Sequence, residues 1–180
     1  MNAAHSHLII NHFPIIGLIL GIIVMLIGIL SKSSVSRRIG LLLFLIAGLT
    51  AIPSFSTGEG AEEIVEHLPA STCGDGCECS MTSAQAASEK THHLIHEHEE
   101  KAEALMPFMW GLIGLSLIAL FLEWKKKSMA LVASIVVLLV GVLATYFARE
   151  VGTSGGEIAH PEIRKDFKAV EHEEHEGEDE

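Results

Sequence analysis

The stretch Leu8-Ile-Ile-Asn-His-Phe-Pro-Ile-Ile-Gly-Leu-Ile-Leu-Gly-Ile-Ile-Val-Met-Leu-Ile-Gly-Ile-Leu30, followed by Ser31-Lys-Ser-Ser-Val-Ser-Arg-Arg38, decides the fold. The first part has no ionisable side chain except His12, near its outer edge. A helix needs about 20 apolar residues to cross the hydrocarbon core of a bilayer, and this run has that length. Lys32, Arg37 and Arg38 then close it with a short basic turn. No basic residue precedes the run and no small-residue cleavage site follows it, so it reads as a retained span rather than a secretory signal.

Three further runs of the same kind follow, Ile39–Phe55, Leu105–Leu122 and Met129–Phe147. The composition agrees with four spans: 49% of the 180 residues are hydrophobic, yet the formal charge is −11. A soluble domain reconciles those two figures poorly; a small membrane protein with acidic extramembrane segments reconciles them well. Lys and Arg cluster in the two short turns, at Lys32, Arg37 and Arg38 and at Lys125, Lys126 and Lys127. By the positive-inside rule these turns are cytoplasmic, with both termini and the 56–104 loop on the periplasmic, outer side of a bacterial inner membrane. Trp110 and Tyr146 near the outer interface and Trp124 at the inner one fit the same boundaries.

Short turns between consecutive spans predict an all-α, four-helix antiparallel bundle built from two helical hairpins. This membrane domain covers 1–168, and 169–180 is an acidic, disordered tail. Gly17-x-x-x-Gly21 on the first span matches a small-residue packing pattern. In the outer loop, Thr57-Gly58 ends the second span, and Glu59 to His67 reads as a short polar helix. Residues 70–88 form a flexible excursion, and helix resumes at Glu89. Gly155-Gly156 permits a sharp turn that folds the chain back over the bundle mouth, with Pro161 holding His160 out of the helical region.

The residues with chemical potential gather at the outer side. Imidazole is a common metal and haem ligand. His7 and His12, with Pro14 suited to a helix start and Asn11 or His12 near the cap, come before or at the edge of the first span. His98 precedes the third span and His160 follows the fourth. Glu62, Glu66 and His67 share one stripe of the polar helix, since residues three and four apart face the same way. His92 and His96 are spaced i, i+4, as two imidazoles gripping one ion would be, and Glu99 lies one turn on. Glu89 and His92 form one Glu-x-x-His pair of the type used in di-metal carboxylate bundles, which need two pairs and two more carboxylates. Cys73, Cys77 and Cys79 lack the Cys-x-x-Cys-His of c-type haem attachment. A loop disulfide fits them, as does thiolate ligation of a soft ion by Cys77 and Cys79. There is no Gly-x-Ser-x-Gly, no phosphate loop and no basic patch for nucleic acid, which argues against hydrolase, nucleotide and nucleic-acid functions.

Taken in order, His7…Asn11-His12-Phe13-Pro14, Thr57-Gly58, His98-Glu99 and Gly155-Gly156…His160 around four spans resemble a bacterial membrane-protein family, domain of unknown function 2231. The likeness covers the spans and their outer ends, not the cysteine segment or the tail. It implies a small four-helix membrane protein associated with cytochrome-like modules, hence haem or respiratory-chain electron transfer, with His7, His12, His98 and His160 as cofactor ligands. The expected function is a haem b or transition-metal (Cu, Zn or Fe) site of redox type at the outer bundle mouth. Alternatives are copper or zinc capture at the periplasmic face, or a structural and assembly subunit with no cofactor.

Overall fold

The computed structural model describes residues 3–66, 81–125, 128–160 and 163–164. Five helices make up nearly all of them: α1 (Ala3–Ile10), α2 (His12–Leu30), α3 (Ser34–Glu66), α4 (Met81–Trp124) and α5 (Ala130–Ala159). Among the described residues there is no strand. Four helical segments are long and apolar enough to cross a membrane: His5–Leu30, Ser34–Gly58, Glu89–Trp124 and Ala130–Ala159.

α2, α3, α4 and α5 form an antiparallel four-helix bundle in which α2 packs on α3 and α5, and α4 on α3 and α5. α1 lies mainly against α3. The inward positions follow one rule. Pro14, Leu18, Gly21, Met25 and Gly28 of α2 are buried. So are Leu105, Met109, Leu112, Ser116, Ala119 and Glu123 of α4, and Ala130, Ser134, Val137, Gly141, Ala144 and Ala148 of α5. Steps of four and three alternate along each set, which is the heptad seam of left-handed helix packing. Large aliphatic side chains such as Leu20, Ile23, Ile46, Leu117, Leu139 and Leu143 point outward instead. Helices that are apolar on every side are what a lipid surround requires.

Small residues bring the helices close. A Cβ added at Gly17 would lie 2.9 Å from the Ala47 Cβ, and one at Gly21 2.9 Å from the Phe44 ring. The Phe44 ring also fills the notch of Gly141, where a Cβ would sit 2.5 Å from it. Phe44 is thus wedged between α2 and α5, fully buried. Lipid tails are as apolar as these side chains, so van der Waals fit at such notches, rather than escape from water, holds the bundle together.

The α2–α3 turn is a Schellman motif: Ser33 N–H donates to the Gly28 carbonyl (2.9 Å) and Lys32 N–H to that of Ile29 (3.2 Å). Lys32 takes the left-handed position at φ 56°, where glycine is usual. Immediately beyond it, Arg37 Nε pairs with the Glu123 carboxylate at 2.5 Å. Arg38 Nη2 donates to the Glu123 carbonyl at 2.8 Å. This pair ties the start of α3 to the end of α4.

Several local expectations change. Helix begins at Ala3 rather than near Pro14, and Asn11 is a single turn residue in right-handed conformation with no side-chain cap. Pro14 has no N–H for the Ile10 carbonyl, so the hydrogen-bond ladder breaks there without ending the helical path. The second candidate span ends at Gly58 as expected, but the polar helix after it is not separate: α3 continues unbroken to Glu66. Residues 81–88, expected in the flexible excursion, open α4; their Met, Ala and Gln favour helix. Gly155-Gly156 makes no turn either. α5 runs through both to Ala159 and stops at His160, φ −130°, which precedes Pro161.

Candidate functional site

One mouth of the bundle is formed where α1, the ends of α3 and α5, and the charged approach of α4 meet. Glu99, Glu100, Lys101 and Glu103 separate His98 from the apolar run that begins at Leu105, so His98 stands outside the hydrocarbon span. His7 likewise precedes the first apolar run.

His7 reaches across from α1 to α3. Its Nδ1 lies 3.0 Å from the Ser54 carbonyl and 3.3 Å from the Thr57 hydroxyl oxygen. A carbonyl only accepts, so Nδ1 carries a proton and Nε2 is the nitrogen left for another partner. Thr57 gives its own hydroxyl proton to the Pro53 carbonyl at 2.8 Å, leaving its oxygen free to accept. Gly58 gives the imidazole room, since a Cβ there would sit 3.5 Å from Cε1.

His98 repeats the arrangement between α4 and α5. Nδ1 is 2.9 Å from the Ser154 hydroxyl oxygen. Ser154 is buried, with the Glu150 and Val151 carbonyls 3.1 and 3.0 Å from its hydroxyl; with its one proton turned to them, its oxygen accepts from His98 Nδ1. Here the fit is tighter: a Cβ at Gly155 would come 3.1 Å from His98 Cε1, so the ring would have to give by a few tenths of an ångström. Burial lowers the pKa of His98 below the ordinary histidine value, and nearby positive charge on His7 lowers it further, against a hydrogen bond to the Val151 carbonyl that raises it. His98 is therefore neutral at neutral pH, and close enough to His7 for the two to feel each other's charge. Two imidazoles from different helices thus share one end of the bundle, each tied down at Nδ1 and each with Nε2 outside that contact. Metal-ligating histidines are held in this way, with the second nitrogen bonded to a carbonyl or similar acceptor.

The other expected ligands are placed differently. His12 is exposed and turns Nδ1 to the Leu8 carbonyl of the preceding turn, 3.0 Å away. His160 is exposed at the end of α5. His92 and His96 lie on α4 with both rings exposed, and His96 faces Glu99 and Glu100 of its own helix at 3.9 and 3.5 Å. Glu157-Ile-Ala-His160 repeats the Glu-x-x-His spacing of Glu89 and His92, but α5 has ended before His160, so the helical geometry that spacing needs is lost. Glu62 and Glu66 belong to α3, while His67, Cys77 and Cys79 fall outside the described residues. Among the described residues no three His, Cys, Asp or Glu side chains come together as a metal-binding group.

Sequence reasoning named His7 and His98 among four candidate histidines, with His12 and His98 as the leading pair, and missed the supports of His7 and His98: Ser54, Thr57 and Ser154. A signal was present: Ser154-Gly155 and Thr57-Gly58 each place a hydroxyl beside a residue with no side chain, which is what seating an imidazole on a helix requires. Asn11 was named only as a cap; its Oδ1 is buried without a hydrogen-bond partner among the described residues, one turn from His7.

The fold and site define a class, the all-helical bundle of four membrane-length helices with paired histidines at one mouth. No family model, no curated protein and no solved structure matches the chain.

Proposed function

We propose that the protein is a multi-pass membrane protein that holds a transition-metal centre, haem b or a copper or iron ion, between His7 and His98, in an electron-transfer role. The observation that carries this reading is the matched second-sphere arrangement: Nδ1 of each ring is held by a protein oxygen, at 3.0 Å for His7 and 2.9 Å for His98, which leaves Nε2 of each ring as the metal donor. Two neutral imidazoles suit haem iron as axial ligands and suit copper or iron as a bare ion. Bound there, the metal would supply one-electron chemistry; the chain supplies two oriented donors and shelter from water. Likeness to the domain of unknown function 2231 membrane proteins belongs to the same proposal, as does association with cytochrome or respiratory-chain components.

We place the basic turns on the cytoplasmic side of a bacterial inner membrane, because lysine and arginine retain loops there. Labelling of Cys73, Cys77 and Cys79 in intact spheroplasts with a membrane-impermeant maleimide tests this: labelling supports it and protection refutes it. For the centre itself, the test is a visible spectrum of the detergent-purified protein, oxidised and reduced, with elemental analysis of the same sample. A Soret band identifies haem; copper or iron near one per chain without one identifies the ion; neither result leaves the electron-transfer reading without support. Copper or zinc capture by His92 and His96 ranks second, since both rings are exposed on one face of α4 and no second helix brings a ligand to them among the described residues.

A further inference from the structure

The opposite, basic end of the bundle carries a second polar feature that the histidine site does not explain. A cavity of about 350 Å³ opens there between the starts of α3 and α5 and the end of α4. Ser34, Arg37, Arg38, Glu123 and Ser128 line it, and one wall is Leu131. Charge in this lining is unbalanced. Glu123 is matched by Arg37 through their ion pair. Among the described residues Arg38 has no carboxylate partner: Nη2 rests on the Glu123 backbone carbonyl, and Nε is buried with no hydrogen-bond partner. A buried guanidinium donor left unpaired is costly, and an oxyanion is the partner that relieves it.

Leu131 decides which oxyanion. It is exposed on the outer, apolar face of α5 and at the same time borders the cavity. The opening therefore adjoins the surface that acyl chains cover. A phosphate attached to a lipid can enter from the side with its tails still in the bilayer. Basic pockets between membrane helices bind anionic headgroups on this principle.

We propose that this cavity is a binding site for the phosphate of an anionic phospholipid, with Arg38 as the charged contact and Ser34 and Ser128 as hydroxyl donors. Zwitterionic lipid is disfavoured because its own cation adds to the excess positive charge of two arginines against one glutamate. The inference rests on the bilayer placement and is independent of the metal site.

The test is lipid retention by the full-length protein. Purified protein is equilibrated in mixed micelles holding phosphatidylglycerol and phosphatidylcholine in equal amounts, and bound lipid is counted by native mass spectrometry. The wild type should retain phosphatidylglycerol about tenfold over phosphatidylcholine, the scale of one charge-assisted contact. Arg38→Gln should bring the ratio close to one. Arg164→Gln, a charge change at the other end of the bundle, should leave it as in the wild type. The double substitution Ser34→Ala, Ser128→Ala keeps the guanidinium and should lower the ratio severalfold, which guards against Arg38→Gln failing to fold. Inorganic phosphate is titrated in parallel with phosphatidylcholine as the sole lipid. Equal retention of both lipids, or a preference untouched by Arg38→Gln in folded protein, overturns the proposal. Stabilisation by inorganic phosphate without any lipid preference overturns it in favour of a soluble anion.

Discussion

Glu123→Gln should be among the most destabilising single substitutions in this chain, although it removes no atom from the core. Glu123 is 3% exposed and its partner Arg37 11% exposed, so neither is well hydrated. The amide of glutamine keeps the shape and can still accept from Arg37 Nε, but it no longer cancels the guanidinium charge. Breaking a buried pair from one side costs about 3–5 kcal/mol in general. Arg37 retains a little solvent and an amide acceptor, which brings the expectation to about 2–3 kcal/mol. Arg38 contributes nothing to this loss, because it contacts the Glu123 backbone carbonyl, which the substitution preserves. Replacing both partners with apolar residues, Arg37→Met with Glu123→Leu, removes the desolvation cost along with the attraction and should cost about 1 kcal/mol or less. Equilibrium unfolding in mixed SDS micelles, followed by circular dichroism, supplies the four corners of the double-mutant cycle. A Glu123→Gln protein within about 0.5 kcal/mol of the wild type, or a double variant worse than either single, would refute the reasoning.

Three further outcomes follow from named positions. Lys32→Gly should stabilise the protein by about 1 kcal/mol, since lysine there occupies a left-handed conformation that glycine adopts freely; an unchanged unfolding midpoint counts against the strain. Gly141→Ala should destabilise by about 1–3 kcal/mol through overpacking against the Phe44 ring, and Phe44→Leu in the same chain should recover part of the loss; no recovery would mean that Phe44 is not the obstacle. In metal-free protein, stability should fall as pH drops below about 6.5, the ordinary histidine value, because the unfolded chain takes up a proton at position 98 before the folded one does. Above that pH His98 is neutral in both states and contributes no slope. His98→Asn should flatten the profile between pH 7.5 and 5.5, and an identical slope in both proteins would exclude His98 as its source.

The four spans were readable because hydrocarbon demands long apolar runs and nothing else in a chain of this size supplies them. The seam inside the bundle was not readable from hydrophobicity, for a physical reason: the lipid-facing positions are as apolar as the buried ones. What separates them is size. Gly21, Gly141 and Ala144 face in, while Ile23, Leu139 and Leu143 face out. Local breaker rules failed at Gly155-Gly156 and Thr57-Gly58 for a related reason. In isolation such pairs weaken a helix, but here each lies under an imidazole from another helix, and packing outweighs propensity. Among the histidines, sequence order placed His7, His12, His98 and His160 together at one mouth. Only rotation about each helix axis distinguishes a ring directed across the bundle, as His7 and His98 are, from one on the outside, as His12 is. The Arg37–Glu123 pair left a faint trace, a single glutamate just before Lys125 in an otherwise basic turn.

The central claim is that His7 and His98, rather than the chain's histidines at large, form the ligand pair. The most direct measurement is the haem and metal content per chain of wild type, His7→Ala, His98→Ala, His12→Ala and His160→Ala, each purified as folded protein from the same host. The account predicts loss of the bound centre in His7→Ala and His98→Ala and wild-type content in His12→Ala and His160→Ala. Retention in His7→Ala and His98→Ala, or equal loss across all four, would contradict it.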